Sequence, residues 1–268
     1  MDFNKIKTPI DVRVVLVRPI YERNIGATSR AMANMGFSKM ILIAPQCEIT
    51  FEAQQAAATG QDGLQNRVTY SSWADFFQHE PQGLRLAFTA KDGRGRAVQD
   101  FKETLNWLTE TSPYLNGEHE GVLPIHLIFG PEDWGLSSDD IKESHFNCSL
   151  PTYGENSSLN LAQATLLALF VLRDTWGGVR TVLDGQQPPK ASRELPNVFP
   201  DETLRVWLTE MGFDITNHKV NVYSVLKRLM LQNTPTPKEY QMLETVLQQS
   251  IRKLHEYNQM RKTTLERQ

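Results

Sequence analysis

Apolar residues recur along this chain with two different periods, and the order in which those periods alternate predicts its architecture. Residues 12–17, Val-Arg-Val-Val-Leu-Val, form a β-branched run stopped by Pro19, which reads as a buried strand of a parallel sheet. The period then changes. Asn24 stands as a candidate cap for a helix in which Ala27, Ala31 and Met35 recur four apart, and Gly36 lies where a glycine stops a helix. Residues 40–43 read as a second strand, 51–58 as a short helix, 84–89 as a third strand and 124–129 as a fourth. Ser137-Ser138-Asp139-Asp140 opens a helix over 137–144, with cap chemistry and acidic charge at the positive end of the helix dipole. Residues 146–150 read as a fifth strand. From 158 to 176 the chain is apolar nearly all round, with Leu161, Leu166, Leu167, Leu169, Phe170 and Leu172, and this predicts a deeply buried helix. Such alternation predicts an α/β domain with a mostly parallel sheet.

Beyond residue 176 the pattern changes again. Gly177, Gly178, Gly185, Pro188, Pro189, Pro196 and Pro200 crowd into 177–200, a linker composition. After it only helical periods appear: Leu204, Trp207, Leu208 and Met211; then Val222, Val225, Leu226, Leu229 and Met230; then Leu243, Val246, Leu247 and Leu254. The expected organisation is a main domain over 1–176, a Pro/Gly-rich linker over 177–200 and a small all-α extension of about three helices over 201–268.

Composition narrows the class. With 40% hydrophobic and 22% charged residues in 268, the chain reads as soluble and globular, without membrane, collagen-like or wholly disordered character. Cys47 and Cys148 form no CxxC pair, and the first residues carry no apolar secretory region, so a reducing cytoplasm is the expected setting. The net charge of −3 argues, as an average, against a generic nucleic-acid binder. The average conceals a basic tail: from Lys219 onward Lys219, Lys227, Arg228, Lys238, Arg252, Lys253, Arg261, Lys262 and Arg267 face only Glu239, Glu244, Glu256 and Glu266.

The chain lacks GxxxxGK[ST], HExxH and GxSxG motifs, and its six histidines are scattered without ligand spacing, so no metal is expected. Gly93-Arg94-Gly95-Arg96 follows a strand, but Val98 replaces the third glycine of a dinucleotide fingerprint and no helical period follows promptly. The loop with Lys91, Arg94 and Arg96 reads equally as a solvated basic loop and as a phosphate contact.

Three segments stand out, each where a strand gives way to a loop or helix: Asn24-Ile25-Gly26-Ala27-Thr28-Ser29-Arg30-Ala31-Met32, Ile128-Phe129-Gly130-Pro131-Glu132-Asp133-Trp134-Gly135-Leu136, and Asn156-Ser157-Ser158-Leu159-Asn160-Leu161-Ala162. Taken singly, Asn24 is an N-cap, Arg30 a surface arginine, Glu132 a solvated acid, and Asn156 or Ser157 another cap. In this order and spacing they resemble the signature motifs of the SpoU/TrmH group of RNA ribose 2′-O-methyltransferases in the SPOUT superfamily. The resemblance covers about residues 10–176, and the third motif with the helical extension is most similar to the TrmJ branch, which methylates the ribose of tRNA nucleotide 32.

The resemblance implies a parallel α/β sheet with a deep C-terminal trefoil knot, S-adenosylmethionine as co-substrate, tRNA as partner, no membrane, and a homodimer with active sites at the subunit interface. It places the methyl donor against Phe88, Thr89 and Ala90, Gly130, Leu150, and Ser157, Ser158 and Leu159. It gives Arg30 the activation of the 2′-hydroxyl, with Asn24, Glu132, Ser158 and Asn160 orienting Arg30, ribose and donor. Arginine has a pKa above about 12 and stays protonated, so clamping phosphate and stabilising an incipient alkoxide suit it better than proton abstraction. Local basic surface at Arg18, Arg23, Arg30, residues 91–96 and the C-terminal helices would then hold RNA despite the acidic average. A ribosomal RNA methyltransferase, and a non-catalytic RNA-binding member of the fold, remain as alternatives.

Overall fold

A computed structural model of the chain describes residues 6, 8–89, 97–112, 114–115, 121–155, 158–177, 199–216, 221–232 and 235–265. The chain divides into two compact units, 1–192 and 193–268. The first is built on a seven-stranded sheet in which every pair is parallel.

Its elements run β1 (Ile10–Val17), α1 (Glu22–Asn34), β2 (Met40–Ile43), α2 (Phe51–Ala57), α3 (Asp62–Gln65), β3 (Val68–Tyr70), α4 (Trp73–His79), β4 (Leu84–Phe88), β5 (Gln99–Asp100), α5 (Phe101–Thr111), β6 (Leu123–Phe129), α6 (Ser138–Lys142), β7 (Phe146–Ser149) and α7 (Leu161–Trp176). The strand order is β3-β2-β1-β6-β4-β7-β5. The central strands are buried on both faces. On β1, Val12, Val14 and Leu16 enter the larger core with Leu86, Leu127, Leu169 and Trp176, while Val15 and Val17 enter a smaller one with Ile41, Ile128, Phe76 and Ile141. That two-sided burial is why these strands read as continuous apolar runs.

Several expectations shift. β3 and β5, of three and two residues, add edge strands that carry no apolar run. α4 and α5 were not anticipated either. Each has its own cap, Ser72 accepting from the Asp75 N–H and Asp100 from the Glu103 N–H, so a helix does begin soon after Val98. Asn24 is not the cap of α1; the helix starts at Glu22, and Asn24 lies in its first turn with its side chain engaged elsewhere. α7 starts at Leu161 rather than Ser158, because Asn160 caps it and forms a capping box with Gln163. Nor is α7 buried all round: Leu169 and Leu172 are fully enclosed, but Phe170 is 54% exposed.

The second unit contains α8 (Asp201–Glu210), α9 (Val222–Gln232) and α10 (Pro237–Leu265). Leu204, Leu208, Tyr223 and Leu247 form its core, flanked by Phe199, Trp207, Leu226 and Leu243. Of the expected linker, residues 178–198 lie outside the described residues. No helix among the described residues is long and apolar enough to cross a membrane.

Candidate active site

The C-terminal ends of β4, β6 and β7 lie side by side, and the loops leaving them enclose a cavity of about 230 Å³. Phe88, Thr89, Gly130, Leu150, Ser158 and Leu159 all line it, joined by Pro131 to Leu136 of the second motif. Ala90, Asn156 and Ser157 lie outside the described residues, as does the 91–96 loop. The wall is built on aromatic packing: Phe88 stacks on Phe129 at 4.7 Å and meets Phe101 edge-on at 4.8 Å. The Thr89 N–H donates to the Cys148 carbonyl at 3.0 Å, fixing the start of the loop after β4.

Gly130 has a steric requirement. A Cβ there would lie 2.3 Å from the Leu136 nitrogen and 2.4 Å from the Gly135 carbonyl carbon, because residues 131–136 fold back over the end of β6. Gly135 turns that loop with a φ of +70°, open to glycine at no steric cost. The loop is then anchored by Asp140 of α6. Its carboxylate accepts from the Ser137 N–H at 2.7 Å and Ser137 Oγ at 2.6 Å, from Trp73 Nε1 at 2.9 Å, and from both terminal nitrogens of Arg18. Burial would raise this carboxyl, but Arg18, Ser137 and Trp73 outweigh it and hold it below the usual value. Arg18, expected on an RNA-facing surface, is therefore committed to holding the loop.

Three residues that are far apart in sequence, one from each motif, form a single hydrogen-bonded chain. Glu132 accepts from the backbone N–H groups of Ile20 and Tyr21 at 3.0 and 3.4 Å, and from Asn24 Nδ2 at 2.9 Å. Asn24 Oδ1 accepts from Asn160 Nδ2 at 3.0 Å, and Asn160 Oδ1 accepts from the Ala162 N–H at 2.9 Å. The carboxylate can only accept, so it dictates which way both amides point. Within the chain, Glu132 thus holds the entry to α1 and not Arg30. Arg30 sits on α1, exposed, and makes no hydrogen bond or ion pair with the described residues. Neither Arg30, Asn24 nor Asn160 is among the described residues lining the cavity.

Sequence reasoning missed Phe129, Asp133, Trp134, Ser149 and Thr152 as cavity residues. Trp134 lay inside the second motif and could have been taken with it; Ser149 and Thr152 carry no signal of their own. In the second unit, Lys227 pairs with Asp201 at 3.1 Å and lies over the Phe199 ring, so it belongs to that unit's packing rather than to free basic surface. Lys219 and Arg267 fall outside the described residues, and nothing is described of the side chains of Arg261 and Lys262. Among the described residues, no group of three or more His, Cys, Asp or Glu side chains could hold a metal ion.

A parallel α/β unit with a ligand-sized cavity over its strand ends, closed by a glycine-bearing loop, is of the class that binds nucleotide-like ligands at the carboxyl edge of the sheet. Residues 11–170 match the model of the SpoU rRNA methylase family, and the chain belongs to that family. It is 28% identical over 258 residues to the tRNA (cytidine/uridine-2′-O-)-methyltransferase TrmJ of Pectobacterium atrosepticum, covering 92% of this chain and 98% of the relative. To the protein of the same name in Cronobacter sakazakii it is 27% identical over 251 residues, covering 88% and 94%. The crystal structure of TrmJ from Z. mobilis ZM4 superposes with a TM-score of 0.66 at 25% identity, over 91% of this chain and 99% of that one.

Proposed function

We propose that the protein is an S-adenosylmethionine-dependent tRNA methyltransferase acting on a ribose 2′-hydroxyl, with nucleotide 32 of the anticodon loop as its target. The observation that carries this reading is the Glu132–Asn24–Asn160 chain, which ties together all three motifs beside the cavity. The relatives spanning 92% and 88% of this chain are tRNA (cytidine/uridine-2′-O-)-methyltransferases, which supports tRNA over rRNA.

The lining of the cavity fits the donor in its chemistry. Phe88, Leu150 and Leu159 offer apolar faces for an adenine, Ser158 and the backbone around Gly130 offer polar partners, and the absence of a side chain at Gly130 lets the 131–136 loop close over the strand end. S-adenosylmethionine supplies a methyl group already activated on a positive sulfur. The chain's own task is therefore to present the 2′-oxygen in line and to stabilise the negative charge that develops on it. Arg30 does the second by clamping a neighbouring phosphate and the incipient alkoxide, since a guanidinium is always protonated in a protein. Glu132, accepting from two backbone N–H groups and Asn24, positions the entry to α1.

Two further parts of this reading concern assembly. The exposed Arg30 and the exposed Phe170 on the mostly buried α7 support a homodimer in which Arg30 of one subunit serves the cavity of the other. The reading includes a trefoil knot in this region, as the resemblance to the SPOUT superfamily implies. The substrate implies a cytoplasmic setting. Mass spectrometry of nucleosides from cells lacking the protein tests the reading: loss of the ribose methyl at tRNA position 32 is expected, and loss confined to rRNA would overturn it.

A further inference from the structure

Two aromatic side chains stand in solvent at neighbouring helix ends beside the motif network. Tyr21 immediately precedes α1 and is 51% exposed; Phe51 opens α2 and is 67% exposed. The two ends are tied together through the adjacent residues, because the Glu22 carboxylate accepts from the Thr50 N–H at 2.6 Å and from Thr50 Oγ1 at 2.8 Å. The main chain of Tyr21 is held on the other side by the motifs themselves. Its N–H donates to Glu132, and its carbonyl accepts from the N–H groups of Asn24 at 3.0 Å and Ile25 at 3.3 Å. Its side chain makes no capping hydrogen bond to α1. Backbone and ring are therefore treated differently, the one fixed against catalytic-network residues and the other left open.

The reaction supplies a use for such rings. A loop nucleotide drawn to the donor so that its 2′-hydroxyl meets the sulfonium methyl in line gives up stacking on its neighbours, and a displaced base loses the faces it was stacked on. Aromatic side chains replace those faces with little regard to sequence, since every base has a π-face. The local charge points the same way. Glu22 and Glu132 lie beside Tyr21 and disfavour phosphate there, whereas Arg23 and Arg30, exposed on α1, remain for the backbone. We propose that Tyr21 and Phe51 form a stacking platform for unpaired bases of the substrate RNA, with Tyr21, nearer the Asn24–Asn160 pair, positioning the nucleotide to be methylated. This rests on the RNA 2′-O-methyltransferase reading given above.

The test is steady-state methyl transfer to a tRNA transcript by the full-length protein, alongside calorimetry with S-adenosylmethionine and sedimentation. Tyr21→Ala is expected to lower kcat/KM for tRNA roughly 10- to 100-fold, carried mainly by KM, and Phe51→Ala to lower it less. Tyr21→Phe is expected to restore the activity, and donor affinity and sedimentation are expected to stay unchanged in all three variants. Wild-type kinetics in Tyr21→Ala would overturn the platform. So would a loss that Tyr21→Phe does not rescue, or one accompanied by a change in sedimentation, which would assign these rings to contact with a second copy of the chain. A wild-type protein that methylates no tRNA would overturn the activity reading itself, and the platform with it; an active wild type matched by an equally active Tyr21→Ala removes the platform alone.

Discussion

Asn160 holds two structural duties that one substitution can separate. Its Oδ1 caps α7 through the Ala162 N–H, and its Nδ2 completes the chain to Asn24 and Glu132. Aspartate caps helices as well as asparagine does, but it would set a carboxylate oxygen against Asn24 Oδ1, which Glu132 has already oriented as an acceptor. Asn160→Asp should therefore leave the melting temperature nearly unchanged, because the cap is kept and the lost bond is exposed, while lowering methyl transfer roughly 10-fold or more, because the facing oxygens push Asn24 out of place. Asn160→Ala should lower both, since a lost N-cap costs about 1 kcal/mol. Equal activity in the aspartate variant and the wild type would remove the network from the reaction. Arg30 is the complementary case. It supports nothing in the described fold, so Arg30→Ala should abolish transfer with unchanged donor affinity by calorimetry and an unchanged melting temperature.

At the scale of elements, α1 is fitted to α2 by a glycine. A Cβ on Gly26 would lie 1.9 Å from the Ala53 carbonyl oxygen, inside any van der Waals distance, so the two helices would have to part. Overpacking of this kind costs about 1–3 kcal/mol, and Gly26→Ala should lower Tm by roughly 2–12 °C. The first motif thus carries a packing glycine and an exposed arginine four residues apart on one helix. Which elements were legible follows from similar local physics. β1, β2 and β6 are buried on both faces and announce themselves as unbroken apolar runs, whereas Val68 and Thr69 of β3 are exposed at the sheet edge and announce nothing. α5 was hidden because its Asp100 cap follows a Gly/Arg-rich stretch that reads as loop. The motifs identified Asn24, Glu132 and Asn160 individually, but no local pattern can state that Asn24 and Asn160, 136 residues apart, share a hydrogen bond. That pairing, and the diversion of Glu132 to the backbone of Ile20 and Tyr21, are products of the sheet bringing loop ends together.

The same sheet carries a buried ionisable row that sets how the main unit responds to acid. Arg13, His126 and Arg85 stand in register on β1, β6 and β4, and Glu80 lies under them, ion-paired to Arg13, accepting from Tyr70 Oη at 2.6 Å and 3.8 Å from His126 Nε2. Burial pushes the His126 pKa below its usual 6.5, and burial together with Arg85 pushes His145 further down. Burial would raise Glu80, but His126, Tyr70 and Arg13 outweigh it and bring it to about 2. For all three groups the unfolded chain binds protons at a higher pH than the folded one, so each contributes stability that disappears as pH falls. The histidine contribution starts to go below about pH 6.5, and that of Glu80 between about pH 4.5 and 2. Melting curves should show Tm falling from pH 7.5 to 5 and falling again below 4.5, and His126→Leu should make the first fall shallower. A Tm independent of pH between 7.5 and 5 would contradict the buried neutral state of these histidines.

For the molecule as a whole, the net charge of −3 resolves into two unequal parts. Residues 193–268 hold eleven basic against nine acidic residues, leaving seventeen against twenty-two in 1–192. A sum of this kind does not decide RNA binding; what decides it is which cations are unpaired. Lys227 is held by Asp201 and Phe199, Lys253 pairs with Glu256, and Arg18 is spent on Asp140, whereas Arg23, Arg30, Lys238 and Arg252 are exposed and make no ion pair among the described residues. Counterion release makes this distinction measurable, because each phosphate contact adds about one to the slope of log affinity against log salt. tRNA affinity should fall linearly on that plot. Arg23→Gln and Arg252→Gln should each weaken binding and flatten the slope by roughly one if their cations meet phosphate. Lys227→Gln should leave the slope as it is and instead lower the melting temperature of the helical unit, whose Asp201 would lose a partner. A Lys227 variant that flattened the salt slope as Arg252→Gln does would show that its pairing with Asp201 opens when RNA binds.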